Sequence, residues 1–109
     1  MSNLVKISGV VLYASASGDQ AETTACEELL RLFKIDYSVK NCWTSPTLQR
    51  AHLESLTNSV WGPDFEQVTF TRFPVVVWTE HYDDYERYQR YSITSADLEK
   101  SSLLKFFAR

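Results

Sequence analysis

A proline directly ahead of the strongest apolar run, Phe73-Pro74-Val75-Val76-Val77-Trp78, constrains this chain more than any other feature. Consecutive apolar residues rich in β-branched side chains read as a strand covered on both faces. Proline has no amide hydrogen to give to a ladder, so it belongs at the start of such a strand or on a sheet edge. A second run of the same kind, Val10-Val11-Leu12-Tyr13, closes the segment 4–14 and reads as a central strand.

The residues between these runs alternate in type. Ser15 to Gln20 are small and polar, a loop leading into a helix over Ala21–Lys34, where Cys26, Leu29, Leu30 and Phe33 recur on one face. Asp19 and Glu22 at its start and Lys34 at its end suit the helix dipole. Ile35-Asp36-Tyr37-Ser38-Val39 alternates as a second strand. Ser45 as cap and Pro46 at the first helical position then open a helix to about Ser59, ended by Trp61-Gly62-Pro63. The connection 64–72 has no settled state, with a short extra strand as one option. After Trp78, Thr79-Glu80-His81 reads as a turn or the end of a short hairpin strand. Asp83 and Asp84 read as caps of a helix through Tyr91, and Thr94-x-x-Asp97 as a second cap before Leu98–Phe107. Successive βαβ units imply an α/β domain with parallel pairing and right-handed crossovers.

With 109 residues the chain suits one domain, 1–109, and its 44% hydrophobic and 23% charged residues are the balance of a globular protein. Three Trp, six Tyr and six Phe supply core material without staples. A net charge of −3 and scattered Lys and Arg offer no basic face for phosphates, which argues against nucleic-acid binding. No apolar run approaches the ~20 residues that span a bilayer, so membrane insertion is not expected. The stretch after Lys6 superficially resembles a signal peptide, but it is short and alternates, and the strand reading is preferred. Two cysteines, Cys26 and Cys42, fit a reducing compartment. The expected location is therefore cytoplasmic, with cytoskeletal association as an option.

These residues resemble the glutaredoxin branch of the thioredoxin fold. VVLYASASGDQ, a helix and IDYSV run as glutaredoxins do from first strand to second, and Phe73-Pro74-Val75 falls where they carry a cis-proline. His81-Tyr82-Asp83-Asp84 falls where their last helix begins. Their Cys-x-x-Cys would land on Gly18-Asp19-Gln20-Ala21, which holds no thiol. The nearer resemblance is thus to the SH3-domain-binding glutamic-acid-rich-like proteins, glutaredoxin relatives without the cysteines. The similarity lies in the loop Val11–Gly18 and in Tyr82-Asp83-Asp84-Tyr85. It implies a thioredoxin-like, three-layer α/β/α domain with a central mixed sheet of about four strands. It also implies a non-catalytic interaction or adaptor role with no cofactor. The Pro-rich stretch credited with SH3 binding in that family is reduced to Pro74, and there is no glutamate-rich tail, so SH3 binding does not carry over.

Several positions follow as candidates. The resemblance implies a residual groove formed by Ser15, Ser17, Gly18, Asp19, Phe73, Pro74, Val75, Asp83 and Asp84. In it the backbone of Phe73 and Val75 would offer an edge to an extended peptide such as glutathione, and the aspartates would meet an ammonium group. The simpler reading of these residues is a capped loop, a fold-determining turn and helix capping. Tyr82, Tyr85, Tyr88 and Tyr91, interleaved with Arg87 and Arg90, form a drifting helical stripe; Tyr82, Tyr85, Tyr88 and Arg87 are the expected partner surface. Trp43, Trp61 and Trp78 add to that hint. Cys26 is expected to be a buried hydrophobe and Cys42 more exposed. His52 and His81 lack the spacing of a metal site. The partner is a protein of unknown identity, with a weak homodimer as an option. The rival functions are a glutathione- or thiol-linked redox protein using the groove or Cys26/Cys42, and a ligand-binding domain using the groove alone.

Overall fold

A computed structural model describes residues 2–16, 18–42, 47, 50, 51, 53–55, 70 and 72–108, with the side chain of Cys42 excepted. Four strands form one mixed sheet: β1 (Leu4–Ser15), β2 (Ser38–Cys42), β3 (Val75–Tyr82) and β4 (Arg87–Ser92), in the order β2-β1-β3-β4. β2 runs parallel to β1, while β3 runs antiparallel to both β1 and β4. Three helices are α1 (Gln20–Leu32), α2 (Ser95–Glu99) and α3 (Ser102–Phe107), and Thr47, Arg50, Ala51 and 53–55 are also helical. This α/β arrangement is compatible with a thioredoxin-like fold.

The period of two along β3 divides the core. Val76 and Trp78 face α1, α2 and α3, packing with Leu12, Cys26, Leu30, Leu98, Leu103 and Leu104. Val75 and Val77 face the other way, against Phe70, Phe73 and the helical Leu53. The sheet is therefore covered on both sides, as its apolar runs anticipated. β1 stays in phase through an irregularity. Between Ser8 and Val11 it advances three residues while β3 advances two, and Gly9 takes φ +62° at the extra position. Ile7 and Val10 thereby both reach the α1 side of the core.

α1 is fixed at both ends. Asp19 is its N-cap, its carboxylate accepting from the Glu22 amide at 3.1 Å. At the other end Lys34 adopts φ +57°, its N–H bonding the Arg31 carbonyl, while the Ile35 N–H reaches Leu30 O at 3.0 Å. This is a Schellman closure with Lys where Gly is usual, sealed by the buried pair Leu30 and Ile35.

The structure corrects the expected bounds of several elements. β2 begins at Ser38, so Ile35 and Tyr37 pack against the core ahead of the strand rather than within it. Of the two readings of Thr79-Glu80-His81 the turn fails and the strand holds: they lie in the last half of β3, which forms a hairpin with β4. Asp83 and Asp84 cap no helix, because 83–91 is a turn followed by β4. In β4, exposure alternates along Arg87-Tyr88-Gln89-Arg90-Tyr91, the period of a strand, and Ser92 is buried. The three-residue spacing of the tyrosines is incidental. The final helix is two short ones, the first capped by Thr94 Oγ1 accepting from Asp97 N–H as the cap pattern anticipated. The expected cap at Ser45-Pro46, the stop at Trp61-Gly62-Pro63 and most of the 64–72 connection lie outside the described residues, as do Trp43, Ser17 and His52.

Candidate functional site

β1 ends at Ser15, and the chain turns at once into α1 beside the residue that precedes Pro74. The Gly18 N–H bonds Ser15 O at 2.9 Å, and the Asp19 N–H bonds the Phe73 carbonyl at 3.2 Å. Gln20 reaches back, its Nε2 donating to Ser15 O at 2.9 Å and to Ala16 O at 3.1 Å. A Cβ on Gly18 would lie 3.0 Å from Phe73 Cβ, 3.1 Å from Phe73 O and 3.2 Å from Ser15 O, so any larger residue there would press the loop and Phe73 apart by a few tenths of an ångström. The Phe73–Pro74 bond is cis.

The loop and the proline, separated by more than fifty residues of chain, are thus brought together. Yet they are brought together against each other. Phe73, Pro74 and Val75 are buried. Val75 pairs with Tyr13 of β1, and the Phe73 carbonyl already accepts from α1. The edge expected at Phe73 and Val75 is occupied by the chain's own backbone. The anion-attracting end of α1 is likewise occupied, by the Asp19 carboxylate.

Asp83 and Asp84 do not join this group. Tyr82 pairs with Leu4 at the start of β1, whereas Val75 pairs with Tyr13 near its end. At a strand rise of ~3.3 Å per residue, the aspartates sit on the order of 25–30 Å from Pro74. Their expected place in the groove is corrected because the last helix follows β4, not β3. At their actual position the Asp83 N–H bonds Asn3 O at 2.9 Å, and Asp84 accepts from Ser2 and from the Glu86 N–H. The Ser2 hydroxyl, followed by the Glu86 amide, holds the Asp84 carboxyl below its ordinary range.

The tyrosines divide between the hairpin tip and the two faces of the sheet. Tyr82 and Tyr88 meet edge to face at 5.6 Å, and the Arg90 guanidinium lies 5.3 Å over the Tyr88 ring. Tyr91 packs against Phe70 at 5.0 Å. Tyr85 stands at the hairpin tip, 95% exposed, with Arg87 exposed beside it. Val5, Lys6, His81, Tyr82 and the tip line a shallow cleft of about 520 Å³. Trp78, offered as a partner hint, is instead buried core, and Trp61 lies outside the described residues.

Sequence reasoning missed Glu80. It lies on β3 in phase with Val76 and Trp78 and is only 1% exposed. Its carboxylate accepts from Trp78 Nε1 (3.1 Å), Tyr82 OH (2.8 Å), Arg90 Nε (3.2 Å) and the Ser102 hydroxyl. Burial pushes its pKa up, but the hydrogen bonds from Ser102, Trp78, Tyr82 and Arg90 outweigh burial and hold it below the usual carboxylate value. A signal was present: an acid spaced by two from both Trp78 and Tyr82 shares their face of the strand.

Thiol chemistry has little footing among the described side chains. Cys26 lies on the buried face of α1, where burial and then the Glu22 charge push its thiol up to about 11. His81 is satisfied by the Ser8 hydroxyl at 2.7 Å. Among the described residues no group of three or more His, Cys, Asp or Glu could hold a metal ion, and no helix is long and apolar enough to cross a membrane. No family model, no curated protein and no solved structure matches this chain.

Proposed function

We propose that this chain is a non-catalytic interaction module on a glutaredoxin-like frame, akin to the SH3-domain-binding glutamic-acid-rich-like proteins. The observation that carries the reading is the end of α1. A thiol enzyme of this architecture needs a cysteine there, in the field of free amide groups. Here Asp19 caps the helix and the Phe73 carbonyl accepts the Asp19 amide, so the position holds a carboxylate where the enzyme would hold a thiol. The elevated Cys26 thiol is no substitute. The surfaces left for binding are the hairpin tip at Tyr85 and the flank formed by Arg87, Tyr88 and Tyr82.

An NMR titration tests this reading. With reduced glutathione added, amide signals of Gly18–Gln20, Arg72–Phe73 and Val75 are expected to stay in place. Saturable shifts confined to those residues would show an open groove and replace this reading with the ligand-binding one.

A further inference from the structure

We propose that β4 is a self-association edge, pairing antiparallel with β4 of a second copy about a twofold axis at Gln89. β4 is the last strand of the sheet, and among the described residues no strand pairs with its outer side. Natural edges are usually blunted by charged side chains, lysine above all, and by proline, bulges or very short strands. β4, RYQRYS, carries two arginines but no lysine or proline, and it pairs with β3 through six consecutive residues without a shift. The β1–β3 ladder, by contrast, carries two irregularities. The opposite edge, β2, carries Lys40.

The backbone selects which residues face outward. The Tyr82 N–H bonds Glu86 O at the base of the hairpin. Antiparallel pairs then alternate between bonded and non-bonded, so Glu80–Tyr88, Trp78–Arg90 and Val76–Ser92 are the bonded pairs. The amides and carbonyls of Arg87, Gln89 and Tyr91 therefore point away from β3. A twofold at Gln89 sets these same three residues opposite one another. Gln89 meets the partner's Gln89, and Arg87 meets the partner's Tyr91.

The side chains fit that register. Read against itself about Gln89, RYQRY places an Arg opposite a Tyr at all four flanking positions, on both faces of the strand. No like charges are opposed, and Arg87 meets the partner's Tyr91 as a cation–π match, while Arg90 keeps the ring of its own Tyr88. A twofold at Arg90 would oppose two arginines. The Arg90 charge is already answered by Glu80, whereas Arg87 is exposed and has no ion-pair partner among the described residues. The inference rests on the interaction-module reading and gives one edge its occupant. Its failure leaves that reading standing, whereas enzymatic turnover would remove that reading and leave a dimer standing.

Sedimentation velocity on the full chain, from about 1 μM to about 1 mM, tests it. Wild type is expected to shift from monomer towards dimer across this range. Gln89 is exposed, so Gln89→Lys and Gln89→Glu keep the fold, which circular dichroism checks. Each alone opposes like charges at the twofold and should weaken association by roughly tenfold or more. An equimolar mixture of the two should restore the dimer. A monomeric wild type, variants that associate as wild type does, or a mixture that stays monomeric would each overturn the proposal.

Discussion

Tyr85 occupies the left-handed position of a three-residue hairpin loop. Its N–H closes the turn on Tyr82 O at 3.0 Å, and its φ is +69°. Glycine is the usual residue there, since a side chain in that region costs on the order of 1–2 kcal/mol. Little packing compensates, with the residue 95% exposed. Strain held at an exposed aromatic is more readily explained by binding than by folding. Tyr85→Gly is accordingly expected to stabilise the fold. The relief of strain, less the added freedom of glycine in the unfolded chain, leaves a gain of about 0.5–1 kcal/mol. Urea unfolding measures it, and a clear loss of stability would mean that the Tyr85 ring packs in a way its exposure does not reveal. Gly18 is the converse case, a residue whose lack of a side chain lets the loop pack closely on Phe73.

At the scale of elements, Glu80 joins β3 to β4 through Arg90 and to α3 through Ser102. Removing a buried carboxylate strands its donors, so Glu80→Ala should cost about 3 kcal/mol. The pH dependence has a definite sign. The folded-state pKa of Glu80 is lowered, so its contribution is complete above the unfolded value of about 4.3 and is lost as pH falls through the folded value. The stability gap between wild type and Glu80→Gln should therefore be constant above about pH 5 and close below about pH 4, by denaturant unfolding at each pH. A gap unchanged down to pH 3 would contradict this.

The elements also mark what could be read in the sequence. β1, α1, the acidic start of α1 and the strand after Pro74 were legible because each rests on local signals: apolar runs, a helical stripe, a charge that suits the dipole and a missing amide hydrogen. The stretch 83–91 was not. Two aspartates followed by tyrosines at intervals of three imitate a cap and a stripe, while the competing signal was alternation of half-buried Tyr88 and Arg90 with exposed Arg87, Gln89 and Tyr91. Glu80 was missed for a different reason, although its spacing by two from Trp78 and Tyr82 placed it on their face. A buried acid looks like a solvent-facing one until the pairing of β3 with β4 brings Arg90 beside it.

For the whole molecule, the corrected placement of 83–91 changes what the groove can be. With β4 between Asp83 and the last helix, the acidic pair moves to the far end of the sheet, and the loop–proline end keeps Asp19 as its one described carboxylate. Glu22 instead accepts from the Ser95 N–H at 2.8 Å, tying the start of α1 to the start of α2. Where the resemblance would place a thiol, the chain has the Asp19 cap and its hydrogen bond to Phe73, while the hairpin end presents Tyr85 to solvent. The most direct measurement is glutathione-dependent reduction of a mixed disulfide, with wild type beside Cys26→Ser and Cys42→Ser. All three are expected to match the uncatalysed rate. Turnover by wild type that Cys42→Ser or Cys26→Ser abolishes would contradict the account and make this chain a redox protein.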